Sequence, residues 1–190
     1  MKTININFDV KSINNAIKEV QKIQKTMQKE VPQTFILKCL DWVMNKANDY
    51  LNSFYMSSDI ITDIQTRWEK SVIGNVGTLT NTSDKAVYVE FGVGIVGQGN
   101  PHPNSSVSGY EYNVASGKKD ASGKWRFKLD EEQGVDLNVG YYTTRNGGDG
   151  KLITTQGSPA NLYLYNAMMD LISSGAYKTL WRATLAELIK

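Results

Sequence analysis

From Ile13 to Phe54 the apolar residues of this chain return every three or four positions, and that pattern limits the first quarter of the molecule to helix. Ile13, Ile17, Val20, Ile23 or Gln24, Met27 and Val31 form one stripe, with Lys18, Lys22, Lys25 and Lys29 on the opposite, wet side. Pro32 either breaks this helix or opens a second one at its first turn. Ile36, Cys39, Leu40, Val43, Ala47, Tyr50, Leu51 and Phe54 then continue the period for about six turns. The pattern predicts a helical hairpin or one long kinked helix, with Ser12 as N-cap. Over this span the spacing does not hold a strict heptad, which disfavours a free coiled coil. So apolar a surface has to face a sheet or a neighbouring subunit.

Around this helical block the periodicity changes. Ile4, Ile6, Phe8 and Val10 alternate with polar residues, which predicts a short half-buried strand over 3–10. Trp68 to Thr82 reads as strand and turn. Ser83 or Asp84 is placed to cap a short helix over 85–91, closed by Gly92 in a left-handed conformation. All glycines except Gly74, Gly77 and Gly175 fall between Gly92 and Gly157. That stretch reads as an elaborated loop with β-like runs at 110–114, 124–129 and 151–155 and a turn at 146–150. Pro159 opens a helix over 160–174, and after Gly175 a last amphipathic helix carries Leu180, Trp181, Thr184, Leu185 and Leu188. With 190 residues, 41% of them hydrophobic, the chain can bury one core. The expectation is a single α+β domain over 1–190, its antiparallel sheet packed against long N-terminal helices and a C-terminal helix, with 93–157 as a loop and hairpin excursion.

Composition narrows the chemistry. Lys plus Arg number 21 against 19 for Asp plus Glu, with no polybasic tract, so sequence-independent grip on DNA phosphates has little to work with, and no specific nucleic-acid binding is expected either. One cysteine, Cys39, rules out an internal disulfide framework and is expected to be buried as a small hydrophobe. The N-terminus shows no secretory pattern and no apolar run spans a membrane, so a soluble protein made in the cytoplasm is expected. Gly92-Val-Gly94-Ile-Val-Gly97 matches the dinucleotide fingerprint literally. Yet its exit, Gln98 to Pro103, is unsuited to the helix N-terminus that would hold a pyrophosphate. His102 is the sole histidine and lacks further N or S donors at metal-ligand spacing, so it reads as a structural loop residue and no metal or cofactor is expected. Asp130-Glu-Glu132 with Asp136 fails the calcium-loop spacing. No carboxylate is marked out by its sequence neighbours as an acid or base, which disfavours an enzyme. Tyr88 and Phe91, three apart and beside Val87, are expected to dock the short helix on the sheet, with Glu90 pointing elsewhere.

The segment Asn81-Thr-Ser-Asp-Lys-Ala-Val-Tyr-Val-Glu-Phe-Gly-Val-Gly94 resembles the signature of the tail-completion (head–tail joining, minor tail) family of tailed phages. There an asparagine-ending strand leads into a Tyr-Ala/Val-x-Glu-Phe-Gly-Thr-Gly motif; this chain has Val93 where threonine is common. Gly94 to Gly97 followed by Pro101-His102-Pro103 is similar to the loop of members from low-GC Gram-positive phages and prophages. Tyr110 to Val114 and Gly123-Lys-Trp125 resemble their aromatic hairpin. Thr155 to Ala167, with Gly157, Tyr163 and Tyr165, resembles the Gly-led, aromatic-rich helix that follows. The N-terminal helices fit by position and length, and the segment 130–146 is longer and more irregular than the family pattern.

The resemblance implies a structural virion subunit without catalytic residues, cofactor or membrane contact. It would form a ring, commonly sixfold, at the head-proximal end of the tail, in the virion neck. Its partners would be other copies, head-completion or connector proteins, and tail-terminator or tail-tube proteins. The motif residues Tyr88, Glu90, Phe91, Gly92, Gly94, Pro101, His102, Pro103, Trp125, Gly157, Tyr163 and Tyr165 then form the family site and possible subunit interface. A virion-associated hydrolase using Glu90 or Glu132 is the alternative.

Overall fold

In a computed structural model the chain is α+β and is described over residues 10–54, 56–112, 125–128, 142–147, 150–155 and 157–189. It divides into two compact units, one made of 1–46, 69–80 and 167–190 and the other of 47–68 and 81–166.

The N-terminal helical pattern resolves as one helix, α1 (Val10–Ser53), with Pro32 inside it. Pro32 offers no N–H to the carbonyl four residues back, a defect of about 3 kcal/mol in a helix interior. The fully buried Val31 beside it, and Val43, Ala47 and Leu51 downstream, supply the packing that carries the helix through. The expected cap at Ser12 is overturned: Ser12 lies inside α1, which already includes Val10, the first described residue. Val10 is thus helical, and the rest of the strand expected over 3–10 lies outside the described residues.

In the first unit, α1 carries the hairpin of β1 (Trp68–Ile73) and β2 (Val76–Asn81). Gly74, at φ +61°, supplies the tight two-residue turn between them. Gly77 brings β2 onto α1: a Cβ there would stand 2.3 Å from Ile36 Cγ2. Helix α7 (Ala176–Leu188) also packs on α1, and α6 (Tyr163–Ser173) meets it through the Lys46–Asp170 ion pair at 4.0 Å. Phe35 meets Trp181 edge to face at 5.2 Å, and Lys38 pairs with Glu187 at 2.5 Å. Lys70 on β1 pairs with Asp41. Cys39 is only half-buried, and partial desolvation raises its thiol pKa.

The second unit contains α2 (Ser58–Gln65), α3 (Ala86–Phe91), α4 (Gly94–Gly99) and α5 (Ser105–Ser108). It also holds β3 (Trp125–Lys128), β4 (Tyr142–Gly147), β5 (Gly150–Thr155) and β6 (Gly157–Ser158). The β3, β5 and β4 strands form an antiparallel sheet in that order, with Trp125 opposite Thr155 and Gly147 opposite Gly150. The turn expected at 146–150 is therefore where the hairpin closes. β4 itself was not expected, since the irregular 130–146 segment hides its start. The β-run expected at 110–114 is not a strand over Tyr110 to Tyr112, and residues 113–114 lie outside the described residues.

Candidate functional site

The tail-completion-like motif folds into a junction between the C-terminus of α3 and the N-terminus of α6. The last carbonyls of a helix and its first amides have no partner within the helix. Here two helix ends supply each other. The Val89 carbonyl accepts from the Asn161 amide at 3.0 Å, and the Glu90 carbonyl accepts from Leu162 at 3.2 Å. In return the Glu90 side chain reaches the start of α6: Oε2 accepts from the Leu164 amide at 2.9 Å and Oε1 from the Tyr165 amide at 2.9 Å. A carboxylate at a helix N-terminus gains from charge-assisted bonds and from the helix dipole. Leu162 makes the turn into α6 at φ +55°, a left-handed conformation that costs an L-residue about 1–2 kcal/mol.

His102 completes the junction. Its Nε2 lies 3.0 Å from Glu90 Oε1, and the two side chains are 3% and 8% exposed. Its Nδ1 accepts from the Asn104 amide at 3.0 Å. With Nδ1 acting as acceptor, the neutral ring carries its proton on Nε2 and donates it to Glu90. The His102 amide in turn donates to the Tyr112 hydroxyl at 2.6 Å. Phe91 stacks on the imidazole at 4.1 Å and lies tilted against Tyr110 at 4.7 Å, while Tyr165 meets His102 edge-on at 5.4 Å. The Tyr110 hydroxyl donates to the Gly92 carbonyl at 2.6 Å. Burial, and then the neighbouring Tyr88 and Tyr112, push the Tyr110 phenol up to about 12. Tyr163 is buried against α3 with its hydroxyl 3.4 Å from the Ala86 carbonyl. Burial first, and then the Glu90 charge, raise its phenol.

This arrangement corrects the expected docking face of α3. Ala86 and Glu90, four apart, face inward, while Val87 and Tyr88 are 41% and 42% exposed. The reason is Tyr163, which needs the small Ala86 beside it and leaves the inner position to the one side chain able to bind the α6 amides. The cap expected at Ser83 or Asp84 is overturned: the N-cap of α3 is Lys85, without a side-chain capping bond, because Ser83 is engaged one turn earlier. Ser83 Oγ accepts from the Lys85 amide just ahead of α3 and donates to Asp63 Oδ2 at 2.6 Å. That hydrogen bond, with Arg67 and Lys85 nearby, holds the Asp63 carboxyl below the ordinary range. Helix α6 starts at Tyr163, later than the 160 expected, since the residues before it are tied to α3.

The glycines of the motif are backbone devices. Gly92 closes α3 at φ +76°, ψ 174°, which is positive as expected but not left-handed helical. A Cβ there would meet the Ala160 nitrogen at 2.5 Å. Gly94, at φ +68°, bridges to Gly157, and its amide donates to the Tyr112 carbonyl at 3.0 Å. Gly157 sits at φ +99°, and a Cβ on it would fall 1.9 Å from the Val93 carbonyl oxygen. The fingerprint-like Gly92 to Gly97 lies partly inside α4 itself, a helix the sequence did not predict. No strand longer than the Val93–Ser158 bridge leads into it.

Of the expected site residues, Glu90, Phe91, Gly92, Gly94, His102, Gly157, Tyr163 and Tyr165 come together at this junction. Tyr88 lines an open groove with Val87, Phe91 and Tyr110, and Pro101 and Pro103 are exposed on either side of His102. Trp125 lies in β3, and its side chain is outside the described residues. The Glu90–His102 pair is what sequence reasoning missed. A single charge inside the apolar run Ala86 to Phe91, together with a sole histidine, was the available signal. Among the described residues no group of three His, Cys, Asp or Glu is placed to hold a metal, and no helix is long and apolar enough to cross a membrane. Comparison with protein-family models, with curated proteins and with solved structures finds no match for this chain.

Proposed function

We propose that this chain is a structural component of the neck of a tailed phage or prophage, joining head to tail as a ring of identical subunits. The observation that carries the reading is the use made of Glu90. The side chain best suited to acid–base chemistry is enclosed, and both its oxygens are occupied in holding the N-terminus of α6 and the His102 loop. The segment that resembles the tail-completion signature is thereby a packing and turn device, as a subunit whose work is assembly requires. In this reading its neighbours are other copies, a head-completion or connector protein, and a tail-terminator or tail-tube protein. Deleting the gene from the phage should leave filled heads and separate tails under the electron microscope; intact virions from that deletion would overturn the proposal.

The hydrolase alternative has one foothold, the Glu90–His102 pair. The adjoining groove is lined by Val87, Tyr88, Phe91, Ser108, Gly109, Tyr110 and Glu111, without either member of that pair. Zymography of the parent protein beside Glu90→Gln and Glu132→Gln separates the readings. Cleavage by the parent that one substitution abolishes would establish the enzyme, and an inactive parent eliminates it.

A further inference from the structure

Over the whole of α1 the apolar repeat slips at Pro32, but ahead of it Ile13, Ile17, Val20, Gln24, Met27 and Val31 alternate steps of four and three. That is the repeat of a two-helix seam. Val31 is fully buried, whereas Ile13, Ile17, Val20 and Met27 are 41%, 49%, 54% and 38% exposed. Ala16, on one flank of the seam, is buried as well, so what stands open over roughly 27 Å is the edge formed by Ile13, Ile17, Val20 and Met27. The helix there is rich in weak formers, Ile13, Asn14, Asn15, Ile17, Val20 and Ile23, so it depends on packing for its stability.

Charge indicates what packs there. With the seam residues at the a and d positions, Asn14, Gln21 and Gln28 take the e positions, and Ala16 and Ile23 take g. Lys11, Lys18, Lys22, Lys25 and Lys29 all fall at b and f, turned away from the seam. A helix this rich in lysine would repel its own copy if those charges flanked the contact. From Ile13 to Gln28 none does; the first charge at a flanking position is Glu30. A partner chosen by charge has nothing to read here, while an identical helix meets no repulsion. Gln24 sets the orientation. In a parallel, in-register pair it faces Gln24 of the second copy, amide to amide; an antiparallel pair would bury it against apolar residues.

We propose that residues 10–31 of α1 pair, parallel and in register, with the same segment of a second copy. This two-fold contact of identical surfaces differs from the head-to-tail contacts of a ring and does not depend on them. Sedimentation equilibrium of the full chain should show a monomer–dimer equilibrium. Val20→Glu, at an exposed position that leaves the fold intact, should weaken the dimer about tenfold or more. In a Cys39→Ser background, Ile13→Cys should oxidise to a covalent dimer and Asn15→Cys, on the far face, should not. A chain that stays monomeric overturns the pairing, as does a dimer indifferent to Val20→Glu, or binding to anionic vesicles without dimerisation. An Ile13→Cys dimer that resists oxidation overturns the parallel register. The pairing can fail while the deletion phage still lacks joined virions, so the two readings are tested separately.

Discussion

The α3–α6 junction and the first half of α1 meet opposite demands. At the junction, main-chain groups freed at two helix ends are enclosed, and Glu90, His102 and a few carbonyls are placed to match them. In the first half of α1 the backbone bonds to itself along the helix, and the unmet demand is apolar side-chain area. The junction's stability is therefore local, concentrated in hydrogen bonds within the chain. That of the first half of α1 is spread along a stripe and, in the proposed pairing, is completed by association.

The difference is broken most directly at Glu90. Glu90→Ala leaves the Leu164 and Tyr165 amides and the His102 Nε2–H unmatched in the interior, and should cost about 3–5 kcal/mol in denaturant unfolding. Glu90→Gln keeps the volume but turns an NH2 toward donors, with a loss of about 2 kcal/mol or more. A change below about 1 kcal/mol for the alanine variant would mean that the junction is not where this unit's stability lies.

Two positions on α1 sharpen the contrast within one helix. Leu51→Ala, at a fully buried site, should cost about 2–5 kcal/mol at any protein concentration. Ile17→Ala should stay within about 0.5 kcal/mol in dilute solution and grow more costly as concentration rises. Equal effects at the two sites would erase the distinction. Gly157→Ala must push its Cβ away from the Val93 carbonyl and adopt a positive φ, for an expected loss of about 2 kcal/mol by thermal unfolding.

Titration gives the smallest effects. The folded Tyr110 phenol ionises at about 12, above the unfolded value near 10, so its contribution is complete below pH 10 and is lost as pH rises through 12. Tyr110→Phe should remove that alkaline loss and one late-ionising phenol from the ultraviolet titration. Asp63 has the opposite sign. Its folded value is depressed, so its contribution is present above the ordinary carboxyl range and is lost as pH falls through the folded value. Asp63→Asn should flatten the acid limb of a stability–pH profile.

Much of the fold was legible wherever a period or a turn residue acts alone. The helical stripes of α1 and α7, the β1–β2 hairpin and the Gly147–Gly150 closure follow from local spacing. The choice at Pro32 between a hairpin and one continuous helix was not legible, because it depends on burial of Val31 and on packing further along the helix. The inward face of α3 was misread for a similar reason. By size alone Tyr88 and Phe91 look like the core face, and only the arrival of Tyr163 and the bare amides of α6, more than seventy residues on, makes Ala86 and Glu90 the inner pair. Hydrogen bonds across such separations leave no periodic trace. The motif resemblance picked out most of the junction's members but not what they do to one another.

Gly94 is touched from two directions: its amide binds the Tyr112 carbonyl, and it bridges to Gly157. Everything between 112 and 157 therefore departs from and returns to one glycine. Because closing a longer loop costs only about 0.6 kcal/mol per doubling of length, that intervening stretch is a cassette. Its length can change while the pinned ends, and the α3–α6 junction behind them, stay as they are.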